Sequence, residues 1–121
     1  MFTISVETHF QASHQLTLPD GSKEPLHSHD WVVTTAVGSE KLDDMGVVMD
    51  FRTLTEMVEN VTARLANTAL GEVEYFRRNN PSAENVTMYI YDKLRVRLPE
   101  GVELQSIEVV EGPGCSAKFA E

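Results

Sequence analysis

The apolar residues of this chain change period twice, and that change sets the strongest limit on what it can fold into. In "MFTISVETHFQASH", Phe2, Ile4 and Val6 alternate with polar residues, followed by His9 or Phe10. A period of two is that of a strand with one buried face. "LTLPDGSKEP" carries a Pro-Asp-Gly turn, and "HSHDWVVTTAVG" returns to β-branched and aromatic residues as an antiparallel partner strand. "DFRTLTEMVENVTARLANTAL" then switches period: Leu54, Val58, Val61 and Leu65 form one stripe of an amphipathic helix, with Asp50 as its N-cap. "NNPSAENVTMYIYDKLRVRL" predicts a second helix, capped by Ser82, with Glu84 at its positive end and Val86, Ile90 and Leu94 facing inward. "PEGVELQSIEVVEGPGCSAKFAE" supplies a third strand, a Gly-Pro-Gly turn and a short closing strand. The order β-β-α-α-β-β predicts a single α+β domain over residues 1–121, a four-stranded antiparallel sheet with two helices on one face.

Composition narrows the function classes. With 41% hydrophobic residues in 121, one packed core is expected and disorder is not. No apolar run approaches the roughly 20 residues that span a bilayer, and the start lacks a basic-then-apolar signal pattern. The expectation is a cytoplasmic protein with no membrane partner. A single Cys, Cys115, excludes an internal disulfide. Nineteen acidic against ten basic residues give a net charge of −9, a field that disfavours nucleic acid as a partner. A small anionic ligand stays open where a metal or a few Lys and Arg reverse the potential locally.

The chemistry-bearing residues are histidines. Residues i and i+2 of a strand share a face, so His27 and His29 present two imidazoles side by side. His14 ends the first strand, and antiparallel pairing can bring it opposite them. Three imidazoles suit tetrahedral zinc with a fourth position open to water or substrate. Three unrelated surface histidines are the other reading of the same spacing. His9 lies an odd number of positions from His14 and is read as structural, on the opposite face.

Five segments, "FQASHQL", "LHSHDW", "GVVMDF", "NPSAEN" and "IEVVEGPGCSAKF", stand in the order and at about the intervals of motifs in a known family. The chain resembles the 6-pyruvoyl tetrahydropterin synthase / 6-carboxytetrahydropterin synthase family nearly end to end. The resemblance implies the tunnelling fold, in which such subunits join their sheets into a barrel, usually a trimer stacked into a hexamer. It implies Zn²⁺ on His14, His27 and His29. It places Glu111 on the glutamate that anchors the pterin ring by accepting from its amino group and ring N–H.

The sequence departs from the family where acid–base chemistry is done. The enzymes act on dihydroneopterin triphosphate with a Cys base four residues before H-G-H and an Asp-His pair from a neighbouring subunit. Here those positions hold Lys23, Ala66 and Asn67, and Ser28 replaces the Gly of H-G-H. Cys115 follows Glu111 in the C-terminal turn, with nothing to place it beside the metal. One branch of the family instead uses E-x-x-H-G-H and cleaves the side chain to 6-hydroxymethyl-dihydropterin. "EPLHSH" puts Glu24 in that place, a candidate base beside a cation that favours its ionised form. The alternative is an ordinary solvated acid.

The sequence therefore predicts a zinc-containing homologue that binds a pterin-like molecule as a homo-oligomer, with ordinary synthase activity lost or altered. An active lyase or aldolase using Glu24 as base is the second reading. A non-catalytic regulatory or structural oligomer is the third.

Overall fold

The computed structural model describes residues 1–121. Its first element is a long antiparallel hairpin: β1 (Phe2–His14) and β2 (His27–Ser39) pair from Phe2 opposite Ser39 to His14 opposite His27. Such a pairing presents alternate residues of both strands to one face. On that face Phe10, Ala12, Trp31 and Val33 are buried, and the Phe10 and Trp31 rings stack at 5.9 Å. β4 (Glu103–Gly112) adds to β2 and contributes Ile107 and Val109 to the same layer, and β5 (Cys115–Ala120) follows antiparallel at the edge.

The helices cover this face. In α1 (Phe51–Thr62) Asp50 accepts from the Arg52 N–H, and in α3 (Ala83–Arg95) Ser82 accepts from the Asn85 N–H, as their cap positions predict. Leu54, Val58 and Val61 of α1 and Val86, Ile90 and Leu94 of α3 are buried. α1 packs on β1, and α3 on β4 and β5. None of the helices is long and apolar enough to cross a membrane.

The expected count of four strands and two helices falls short. The sheet has five strands in the order β3-β1-β2-β4-β5, and it is not wholly antiparallel. β3 (Thr68–Ala69) pairs parallel to Ala12 and Ser13 at the open edge of β1. A short third helix, α2 (Tyr75–Arg78), precedes α3 and buries Phe76. The predicted first helix also stops early, at Thr62 rather than near Leu70. Leu65 still reaches the core, but from a turn in which its N–H donates to the Thr62 carbonyl at 2.9 Å. The cause lies at Asn67, whose φ of 61° turns the chain left-handed and whose N–H donates to the Gln11 carbonyl at 2.6 Å. Asn is among the few non-glycine residues that tolerate this conformation, and the redirected backbone meets β1 instead of continuing a helix. An edge pairing two residues long carries no period in the sequence.

Candidate metal centre

The functional side chains lie where the core layer reaches one end of the sheet. The pleat that buries Phe10 and Ala12 carries on to His14, which is 2% exposed, and the pleat that buries Trp31 and Val33 runs back through His29 to His27. The pairs Ala12–His29 and His14–His27 set the three imidazoles against one another, with ring centroids 4.5 to 5.1 Å apart. Trp31 forms the floor, edge-on to His14 at 5.0 Å and to His29 at 5.7 Å, with its indole N–H donating to the Ala12 carbonyl at 3.2 Å. Its position fixes both rings from below.

Backbone carbonyls orient two of the rings. His14 Nδ1 lies 2.6 Å from the Pro81 carbonyl and His27 Nδ1 lies 2.9 Å from the Pro25 carbonyl. A carbonyl can only accept, so Nδ1 carries the proton on both rings and each Nε2 lone pair faces the shared centre. Burial pushes the His29 imidazole below its ordinary value; Glu111 pulls the other way, and His14 and His27 add to the lowering. That lowering favours the neutral imidazole of His29, the form that can ligate a metal.

The fourth group is Glu111. It stands two residues beyond Val109 on β4, at the register shift between Val110 and Gly112, and its carboxylate reaches the face of the histidines. Its Oε1 lies 2.6 Å from His14 Nε2, 3.3 Å from His29 Nε2 and 4.0 Å from His27 Nε2. The ligating atoms of all four residues fall within 4.8 Å of one another. Tetrahedral bonds of about 2.0 Å require ligand separations of about 3.3 Å, so seating a metal ion would draw the wider pairs together and part Glu111 from His14. A further observation fits that reading. The buried Nε2 atoms of His14 and His29 have no hydrogen-bond partner, since the Glu111 contacts are close but do not meet hydrogen-bond alignment. Two orphaned lone pairs aimed at one point beside a carboxylate are a group that could hold a metal.

Glu24 sits at the rim. Its Oε1 accepts from the Leu16 N–H at 3.0 Å, which holds the carboxylate 4.0 Å from His27 Nε2. The other residues marked by the sequence are not gathered here. Lys23 is exposed and bridges Thr17 through its backbone; Ala66 packs against the core; Asn67 makes the left-handed turn. Cys115 is exposed at the start of β5, outside the ligand cluster. His9 is on the opposite face, opposite Val32 and 3.5 Å from both Glu7 and Asp30. Sequence reasoning assigned Glu111 to a ring rather than to the company of the three histidines. Its place two residues after Val109 on an inward-facing strand was a partial signal, blurred by the register shift at that point.

A sheet of this order with helices on one face defines the tunnelling-fold class, and solved structures agree. The chain superposes on Caenorhabditis elegans 6-pyruvoyl tetrahydropterin synthase with a TM-score of 0.85 over 99% of this chain and 95% of that one, at 22% identity. The chain belongs to the 6-pyruvoyl tetrahydropterin synthase family, whose sequence pattern it matches over residues 3–121. It is 30% identical over 103 residues to the dihydroneopterin monophosphate aldolase of Pyrococcus furiosus, covering 85% of this chain and 83% of that protein. It is 23% identical over 125 residues to the 6-carboxy-5,6,7,8-tetrahydropterin synthase of Rickettsia bellii, covering 88% and 91%.

Proposed function

We infer that this protein is a zinc-dependent pterin lyase of altered chemistry, cleaving the side chain of a phosphorylated dihydroneopterin rather than performing the ordinary synthase reaction. The observation that carries this reading is Glu24, held at the edge of the three-histidine cluster where the family's thiol side of the site is vacated by Lys23. The name borne by the Pyrococcus furiosus relative favours the same class of reaction.

His14, His27 and His29 would hold the zinc, leaving its fourth position to the substrate. Bound there, the ion supplies Lewis-acid polarisation of a side-chain hydroxyl. Glu24 takes the proton from that hydroxyl. The adjacent carbon–carbon bond breaks, the hydroxyl-bearing carbon becomes an aldehyde, and the electron pair passes into the conjugated ring. A proton returned to the exocyclic carbon completes the 6-hydroxymethyl product, so atoms and charge balance without an oxidant. Glu111 serves the ring in this reading, accepting from its paired N–H donors. A carboxylate fixed as fourth zinc ligand would instead close the position the substrate needs.

Zinc-loaded protein incubated with dihydroneopterin triphosphate and, separately, the monophosphate should yield 6-hydroxymethyl-dihydropterin. Glu24→Gln should lower the rate by about 10²–10⁴-fold while zinc content holds. Glu111→Ala should keep its zinc and lose pterin affinity. Formation of the 6-pyruvoyl or 6-carboxy product at ordinary synthase rates, or a Glu24→Gln variant as fast as the parent, would overturn the assignment. Loss of zinc on Glu111→Ala would make it a ligand.

The working unit in this reading is a closed homo-oligomer, a trimer stacked into a hexamer. β5 and the two-residue β3 leave both sides of the sheet with strands that can pair further, and closure removes such edges. Sedimentation equilibrium should give a mass of about six subunits, and a stable monomer at micromolar concentration contradicts it.

A further inference from the structure

Away from the metal centre, a cavity of about 830 Å³ lies between α1, α2 and the C-terminal half of α3. Four of the chain's ten basic residues line it, Arg64, Arg78, Lys93 and Arg97, against one of its nineteen acids, Glu74. None of these four lies within 4.0 Å of a carboxylate, whereas Arg95 on the same helix pairs with Glu121 at 3.8 Å. Clustered cations repel one another, and a chain of net charge −9 has acids in excess with which to neutralise them. Here it does not.

The floor of the cavity carries a second feature. Tyr89 is 4% exposed and its ring packs against Phe76 and Tyr75. Lys93 Nζ stands 5.8 Å from the ring centroid. The phenol hydroxyl has no protein hydrogen-bond partner, and Arg64 and Arg97 line the same cavity. A cavity that holds a hydroxyl donor and guanidinium groups offers several N–H and O–H donors to an oxyanion, and guanidinium matches phosphate oxygens bidentately. Four positive charges exceed what a lone carboxylate would balance.

We propose that the groove formed by Arg64, Arg78, Lys93 and Arg97 over Tyr89 binds a small molecule bearing an oligophosphate chain, at a site separate from the metal centre. The two sites share no lining residue: the groove draws on the three helices and the turns after α1 and α3, and the metal centre on the ends of β1, β2 and β4.

Isothermal titration with inorganic tripolyphosphate at low ionic strength tests it directly. The parent should bind saturably, with affinity falling as salt rises. Arg64→Ala combined with Arg97→Ala should weaken binding about tenfold, as expected for two exposed charge pairs lost together. Tyr89→Phe should weaken it less, and Arg95→Ala should leave it unchanged. Because tripolyphosphate also binds metals, His29→Ala is titrated in parallel and should retain the parent's affinity. All the substituted arginines are exposed, and superimposable circular dichroism spectra check that the fold persists. No saturable binding by the parent, full affinity in the double variant, or loss of binding in His29→Ala would each overturn the proposal.

Discussion

The end of the β1–β2 hairpin and the segment from Ala63 to Pro81 make an instructive pair. Both lie at positions where the family resemblance places site residues. At the hairpin end the side chains form a group that could hold a metal: His14, His27 and His29 converge with Glu111, and none of their Nε2 atoms makes a hydrogen bond within the protein. In the connecting segment the residues at the matching positions are part of the architecture. Ala66 packs against the core and Asn67 turns the chain to meet β1. A cluster set by strand register is geometrically fixed, so it persists as long as the sheet does. A relay carried on a loop has no such constraint, and its residues are free to take on structural work.

The largest effect that could break this contrast is on metal content. His14→Ala should drop zinc from near one per subunit to near none by elemental analysis, because it removes the most buried imidazole and the ring fixed on the Pro81 carbonyl. Full zinc retention would mean the hairpin end is not a metal centre. Next comes the segment's structural claim. Asn67→Ala should cost about 1–2 kcal/mol in denaturant unfolding, the cost of a left-handed residue with a Cβ, while Asn67→Gly stays near the parent. Both variants should keep their zinc. Equal stability of Ala and Gly at 67 would remove the structural account of that substitution.

A third measurement joins the two regions. Ser82 caps α3 directly after Pro81, the residue that holds His14. Ser82→Ala should cost about 1 kcal/mol, and zinc affinity should weaken along with stability, since the carbonyl rides on that helix start. Unchanged zinc affinity in a destabilised variant would uncouple them. The smallest effect is a pH slope. His29 has a depressed pKa, so between the ordinary imidazole value of about 6.5 and its lower folded value the unfolded chain binds more protons. Its contribution to stability is present above about pH 6.5 and diminishes as pH falls through that window. Melting temperatures of chelator-treated protein should therefore fall on acidification, with a shallower fall in His29→Ala.

Much of this was legible in the residues because its causes are local. The two hydrophobic periods set strands and helices, since both repeat on the scale of a few residues. The caps at Asp50 and Ser82 needed only their own side chains and the next turn. The shared face of His27 and His29 followed from the pleat alone, as did the separation of His9 from His14. What tertiary structure decided depended on pairings between distant segments. The arrival of Glu111 among the histidines required the β2–β4 register, and the hold of Pro81 on His14 required the segment leading into α3 to reach the end of β1. The parallel β3 edge, and the gathering of Arg64, Arg78, Lys93 and Arg97 over Tyr89, arise from contacts with no repeat in the sequence. Local hydrogen bonding selects each element from its own residues, whereas the faces that meet are chosen by burial of the whole core, which no short stretch contains.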